Sequence, residues 1–298
     1  MKNPNKIGIS TEDKVYYSII SVFLFFIVLV VLYPLIYIVS ASFSSPQAVN
    51  NGQVFLWPVD FTLDGYEAVF KNKYIGLGYA NTIFYTVAGT MINIVMTTFA
   101  AYALARKTLP LRKPLMLMFT FTMMFSGGMI PNYILMMKLR LLDTRWAMLI
   151  PGALSVYNMI IARSFIEGIP TEMQEAAQVD GCNDYVYFFR IVLPLSSTML
   201  AVIALFYAVA HWNSYFNAYL YLTKRNLYPM QIILREILIA NTFSADMIAD
   251  PETMMARSGM AELLKYALII VSSLPILVFY PFIQKYFAKG VMIGAIKG

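Results

Sequence analysis

The sequence predicts an all-α, polytopic membrane protein with six spanning helices and a polar cytoplasmic insert between the fourth and fifth. Three observations predict it. Hydrophobic residues make up 59% of the 298 residues and charged residues 13%, with a mean hydropathy of +0.65, well beyond a soluble domain. Uncharged apolar runs recur at the length a bilayer demands, about 20 helical residues for about 30 Å of hydrocarbon. Between two of them stands Glu175 to Pro194, EAAQVDGCNDYVYFFRIVLP, a polar, acidic and aromatic interruption.

The six runs are approximately Val15–Ala41, Tyr79–Ala105, Pro114–Met137, Trp146–Ala162, Val192–Leu222 and Tyr266–Gln284. The first is about twice the length of a signal-peptide core and reads as a retained span. The fourth is the shortest, and Pro131 and Pro151 blur the third and fourth boundaries. An even count puts both termini on one side. Arg106, Lys107, Arg112 and Lys113 fill the second-to-third connection without an acid. Lys2, Lys6 and Lys14 precede the first span, and Lys285, Lys289 and Lys297 follow the last. The positive-inside tendency makes the tails, that connection and the Glu175 segment cytoplasmic. Lys138, Arg140 and Arg145, in the third-to-fourth loop, run against it.

Two segments then face outward, about 42–78 and 223–265. Asn51-Gly52, Trp57-Pro58 and Asp60 give the first the turn chemistry of a folded loop. In the second, Met230, Ile233, Leu234, Ile237 and Leu238 recur at helical spacing, predicting an amphipathic helix over Tyr228 to Ala240. Asn241 to Ser258 follows as a polar projecting loop. The whole, 1–298, reads as one transmembrane domain with no second soluble domain.

Composition excludes several functions. One cysteine, Cys182, and one histidine, His211, leave no internal disulfide and no Cys or His metal cluster. The net charge of +6 is spread over short loops and suits a membrane surface rather than nucleic acid. None of the six runs contains Asp, Glu, Lys or Arg, the residues that proton relays and counter-ions use. There is no Gly-Lys dipeptide, hence no phosphate-cradling G-x-x-x-x-G-K-[ST] loop. A lone histidine supports no catalytic triad, and His211 reads as a hydrogen-bonded pore or packing residue.

In the insert, Thr171 followed three residues later by Gln174 predicts a capping box, and Glu172 to about Asp180 a short helix. Ala176 and Ala177 are small enough to let another surface approach. Gly181 closes the helix in the left-handed conformation. Asn183 or Asp184 caps a second helix with an aromatic face of Tyr185, Phe188 and Phe189. Spacing alone leaves two readings: a segment that docks a soluble partner, or an interfacial loop with solvated acids and aromatics in the headgroup belt.

Glu175-Ala176-Ala177, three residues, Gly181, nine residues, then Ile191-x-Leu193-Pro194 resembles the EAA signature of permease subunits of bacterial ATP-binding-cassette importers. The six spans, the place of the signature and the Trp212-Asn213 pair agree with it. The C-terminal residues Gln284 to Gly298 resemble the carbohydrate-uptake branch, the second permease subunit of the maltose type. The stretches around Pro229 to Leu238 and Lys265 to Gly298 look closest to permeases for oligosaccharides and polysaccharide fragments. The resemblance covers nearly the whole chain, with a family core over about 79–284.

It implies a cell-membrane permease that imports oligosaccharides by alternating access. The implied partners are a homologous permease subunit in a heterodimer, two ATPase subunits that carry ATP and Mg, and an extracytoplasmic sugar-binding protein. The chain itself would hold no cofactor or metal and hydrolyse nothing. Glu175, Ala176, Ala177, Gly181, Ile191, Leu193 and Pro194, within the coupling segment 171–190 and just past it, would transmit ATPase closure. Asn241, Asp246, Asp250 and Glu252 would lie in a loop reaching the binding protein. His211, Trp212, Asn213, Tyr215 and Asn217 are the candidates for the sugar path, because aromatic faces stack on sugars and amides bond hydroxyls. Aromatics at this depth also pack or form a belt, the reading the sequence favours for most of them. The rival readings are an ion-coupled secondary carrier and an importer for amino acids or peptides, which shares the EAA pattern.

Overall fold

The computed structural model describes residues 10–243, 260, 262–278 and 281, and every described regular element is helical or a turn. The chain divides into two compact units, Met1–Lys71 with Leu238–Val271 and Asn72–Ile237 with Ser272–Gly298.

In the first unit, α1 (Thr11–Ser42) is a 32-residue helix, about 48 Å long, enough to cross a bilayer. Ser10 and Asp13 start it with a reciprocal capping box, each side chain bonded to the other's backbone N–H at 3.2 Å. Its apolar side chains from Val15 to Val31, the half-buried Ile20 aside, are exposed, as a surface meant for lipid or another membrane helix requires. Only the end, Ser40 to Ser42, is buried. There the chain folds back through α2 (Pro46–Asn50) and α3 (Asp64–Lys71). The Ser40 hydroxyl donates to Leu56 O at 2.6 Å, and Val59 N donates to Ser44 Oγ at 3.0 Å. Gly52 (φ +66°) and Asp60 (φ +50°) make the turns, so the expected folded loop is one. Ala41, Ala48, Val49, Val54 and Leu263 form its small core.

The second unit is built on α4 (Lys73–Ala105), 33 residues with a buried stripe at helical spacing. That stripe, which includes Gly78, Asn81, Thr82, Tyr85, Gly89, Asn93, Thr97 and Ala101, is mostly small or polar, the composition that lets membrane helices approach closely. A methyl group on Gly89 would collide with the His211 ring, and one on Gly78 would lie 2.5 Å from Ile233.

The third and fourth expected spans are not single helices. Residues Pro114–Met137 become α5 (Arg112–Met124) and α6 (Met129–Lys138), which meet at 112°. The break falls at Phe125 to Gly128, where Phe125 turns extended and Gly128 takes φ +89°. The fourth run starts as the four-residue α7 (Trp146–Leu149), stops near Pro151-Gly152, and resumes as α8 (Val156–Glu167) with Ser155 as N-cap. After the insert, which comprises α9 (Thr171–Val179), α10 (Asp184–Tyr187), a π-helical turn (Phe188–Val192) and α11 (Leu193–Leu195), the fifth run continues as α12 (Ser197–Trp212) and α13 (Phe216–Tyr221). It bends by 78° at Ser196 and breaks again at Asn213 to Tyr215. The expected amphipathic helix is α14 (Met230–Phe243), with Met230, Ile232 and Ile233 buried. The last described helix, α15, covers 262–278. Among the described residues, α1 and α4 are long and apolar enough to cross a membrane unbroken, and the two bent pairs raise the number to four.

Candidate functional site

The insert closes on itself by backbone bonds. Cys182 N donates to Ala177 O at 2.8 Å and Gly181 N to Gln178 O at 3.0 Å, a Schellman closure made possible by Gly181 at φ +78°. Asn183 then caps α10, its side chain accepting from Val186 N at 2.9 Å. Both follow the sequence expectation. The start of α9 does not: Pro170 stands at the N-cap and Thr171 is already helical, so no capping box forms. Proline pre-sets the helical entry and lacks the N–H that a reciprocal cap would have to satisfy.

The two alanines of the signature have different surroundings. Ala177 is buried with Tyr187, Phe188 and Val192 against Ala101, Leu104, Met159, Ala162, Ile166, Met199 and Ile203, which seats the insert on α4, α8 and α12. Ala176 and Glu175 are exposed, and the Glu175 carboxylate pairs with no described side chain. Ile191 and Leu193 are half-buried against the same cluster, and Pro194 is exposed. The expected aromatic face is divided. Phe188 is buried, stacked on Phe99 at 5.0 Å and tilted against Tyr102 at 4.9 Å, whereas Tyr185 stays 75% exposed. Phe189, one residue on, is 53% exposed, so the inward aromatic pair is Tyr187 with Phe188, and the π-helical turn begins at that buried ring.

Beside α9 lies a cleft of about 610 Å³ lined by Tyr102, Arg106, Lys107, Gln174, Glu175, Gln178 and Tyr187 among others. Arg106 pairs with Asp184 and lies 5.4 Å from the Tyr102 ring centre, tying the second-to-third connection to α10. Burial pushes the pKa of the Tyr187 hydroxyl up, with Arg106 acting against it. Nearby, Arg112 and Arg163 both donate from Nε to Leu104 O, at 2.8 and 3.2 Å, and both pair with Glu167. Two cations thus satisfy the C-terminal end of α4 and clamp it to α5 and α8. The sequence marks Arg106 and Arg112 only as topology signals and does not single out Arg163.

The sugar-path candidates scatter. His211 Nε2 and Asn93 Oδ1 are 2.7 Å apart, and the Asn93 amide donates to Gly152 O. Thr97 and Tyr207 hydroxyls meet at 2.6 Å, and Ser155 N donates to the Tyr207 oxygen at 3.0 Å. This network joins α4, α8 and α12 in the interior, and His211 is hydrogen-bonded at its edge. Trp212 is buried too, donating from Nε1 to Ser272 O at 3.0 Å. Asn213 is exposed and bonds back to Val209 O at 3.0 Å, which satisfies the end of α12. Tyr215 is exposed and Asn217 half-buried. Asn93, Thr97 and Tyr207 escaped the sequence reading, although Tyr85, Gly89, Asn93 and Thr97 recur every four residues and that spacing could have exposed them. Asn241 falls in the last turn of α14, and Asp246, Asp250 and Glu252 lie outside the described residues.

Apolar helices broken around a polar stripe, with a capped polar helix at one end, are the build of a membrane permease subunit. No protein-family model matches the chain. The chain is 40% identical over 288 residues to the polygalacturonan/rhamnogalacturonan transport system permease protein YtcP of Bacillus subtilis (strain 168), covering 96% of this chain and 100% of that one. It is 26% identical over 280 residues to the arabinooligosaccharides transport system permease protein AraQ of Halalkalibacterium halodurans, covering 92% and 94%. A chain in the crystal structure of a bacterial ABC transporter that imports the acidic polysaccharide alginate matches with a TM-score of 0.86 and 36% identity, over 95% of this chain and 100% of that one. The chain therefore belongs to the permease subunits of carbohydrate ATP-binding-cassette importers. It is a multi-pass membrane subunit of a binding-protein-dependent oligosaccharide importer, and such subunits lack ATPase activity of their own. An ion-coupled carrier and an amino-acid or peptide importer are thereby set aside.

Proposed function

We propose that the chain is one half of a heterodimeric permease, crosses the membrane six times with both termini in the cytoplasm, and docks a separate ATPase through α9. Two unbroken helices long enough to cross, α1 and α4, and two bent pairs that reach the same length if each counts as one span support the six-span reading, with α7–α8 and α15 as the remaining two. One observation carries the docking: a Schellman-closed helix is seated by Ala177 on the core of the bundle, while Glu175 stands exposed beside a cleft with no ion-pair partner among the described residues. A partner can grip Glu175 and Ala176, and movement of α9 then reaches α4, α8 and α12 through Ala177, Phe188, Ile191 and Leu193. Gly181 holds the bend, and Pro194 starts the return to the bilayer.

Two ATPase copies carry ATP and Mg, one on each permease half. An extracytoplasmic binding protein delivers the sugar, and the Asn241 to Ser258 loop, with Asp246, Asp250 and Glu252, reaches into it. Substrate and ATP each favour one of two arrangements, and each shifts the equilibrium only by its differential affinity. Relatives named for polygalacturonan, rhamnogalacturonan and alginate favour a fragment of an acidic polysaccharide as the substrate.

The test uses the complete importer in proteoliposomes. Glu175→Ala and Gly181→Pro should leave insertion and assembly intact, yet lower substrate-stimulated ATPase and uptake by about 10-fold or more. Wild-type rates for both variants in assembled complex would sink the coupling role.

A further inference from the structure

The end of the second unit opposite the insert carries an unbalanced charge. Lys138, Arg140 and Arg145 stand before α7, and Lys224, Arg225 and Arg235 lie in the segment from α13 to α14, against two carboxylates, Asp143 and Glu236. The backbone joins these stretches: Asp143 N donates to Tyr221 O at 3.0 Å. Both carboxylates are already engaged. Asp143 accepts from Thr223 N at 2.5 Å, Thr223 Oγ1 at 2.7 Å and Lys224 N at 3.1 Å, while Glu236 pairs with Arg225 at 3.1 Å. Arg235 has no carboxylate partner among the described residues. Its guanidinium lies 4.7 Å from the Tyr219 ring centre and 5.9 Å from that of Tyr215, and the two rings are 60% and 44% exposed.

In the proposed orientation this end faces outward, where membrane proteins tend not to concentrate Lys and Arg. Within these two stretches the cations outnumber the carboxylates, and the other acids of 223–265 come further along the chain, at Asp246, Asp250, Glu252 and Glu262. The local excess fits an anionic solute arriving from outside. The local geometry fits the same solute. A guanidinium held over tyrosine rings by cation–π attraction still has N–H groups to offer a carboxylate. The exposed parts of Tyr215 and Tyr219 offer apolar ring surface for the C–H side of a sugar.

We propose that Arg235, with Tyr215 and Tyr219, forms a binding site for a uronate residue of an acidic oligosaccharide at the outer mouth of the path. The site rests on the importer reading above and adds to it the group that reads the carboxylate. Arg235 takes the carboxylate through its N–H fork, and the tyrosines take the ring. The remaining cations raise the local concentration of the anion.

The experiment measures binding of trigalacturonate and of its neutral methyl ester to the purified permease heterodimer in nanodiscs, alongside uptake of trigalacturonate by the complete importer. The wild type should bind the acid about 10-fold more tightly than the ester, the size of one charged hydrogen-bonded contact. Arg235→Gln should bring the acid down to the ester and leave the ester unchanged, and Arg235→Lys should fall between. Equal wild-type affinities, or an Arg235→Gln variant that weakens acid and ester alike, would overturn the site and leave Arg235 as a tether for α14. If the importer takes up trigalacturonate but the heterodimer does not bind it, the site alone fails. If the importer takes up neither sugar, the site and the acidic-substrate reading fail together.

Discussion

At the α9 end of the second unit two aromatic side chains, Tyr187 and Phe188, are inside and the acids outside, whereas at the α13–α14 end Tyr215 and Tyr219 are outside. Tyr187 and Phe188 are buried, Arg106 is paired with Asp184, and the exposed acids include Glu172, Glu175 and Asp180. Tyr215 and Tyr219 are exposed, and Arg235 lies over them with no described carboxylate. Similar residue types therefore make opposite surfaces. A helix that transmits force has to be packed into the body it moves, and a site that receives a solute has to keep its rings and its cation available. The clamp of Arg112 and Arg163 on Leu104 O belongs to the first kind, since both cations are spent on structure.

The comparison breaks most readily at Phe188. Phe188→Ala should cost about 3–5 kcal/mol of stability, the range for emptying an aromatic core site. A lowered thermal midpoint in detergent checks it, and an unchanged midpoint would mean that the insert is not seated as described. Gly89→Val comes next, with an expected loss of about 1–3 kcal/mol from overpacking against His211. Its check is the same thermal midpoint, with Gly89→Ala placed between Val and wild type.

At the other end, the bonds from Thr223 backbone and side chain hold the Asp143 carboxyl below its ordinary pKa. A depressed carboxylate contributes stability above its unfolded pKa of about 3.9 and loses it as pH falls through the lower folded value. Hydrogen-exchange protection at the Thr223 and Lys224 amides should therefore persist to about pH 4 and drop only below it. Loss of protection already at pH 6 would show that this clasp is not carried by Asp143. The smallest effect is expected for Tyr185→Ala, within about 0.5 kcal/mol, because its ring is exposed. Set beside Phe188→Ala, it measures how sharply the seated side of the insert differs from its exposed side.

Much of the insert was legible. Gly181 and Asn183 act locally, through backbone angles and a cap within a few residues, so their types predict their roles. The capping box failed on an equally local fact, since Pro170 took the cap position. The aromatic face differs from the expectation because Tyr187 and Phe188, rather than Tyr185, meet the helices on which the insert packs. Among the sugar-path candidates, Trp212 and His211 are chemically apt for a sugar, and type alone cannot say that Ser272 and Asn93 occupy them.

The sequence by itself determined the membrane class, the approximate spans, the missing ATPase loop and the EAA spacing, because hydropathy, charge and short motifs are local sums. Only the tertiary structure decided where the spans break, which alanine of the signature faces inward, and which arginines are spent. Those outcomes depend on pairings such as Arg112 and Arg163 with Leu104 and Glu167, or Arg235 with two tyrosines. Residues far apart in the chain meet there, and a charge becomes structural or available according to what the fold sets beside it.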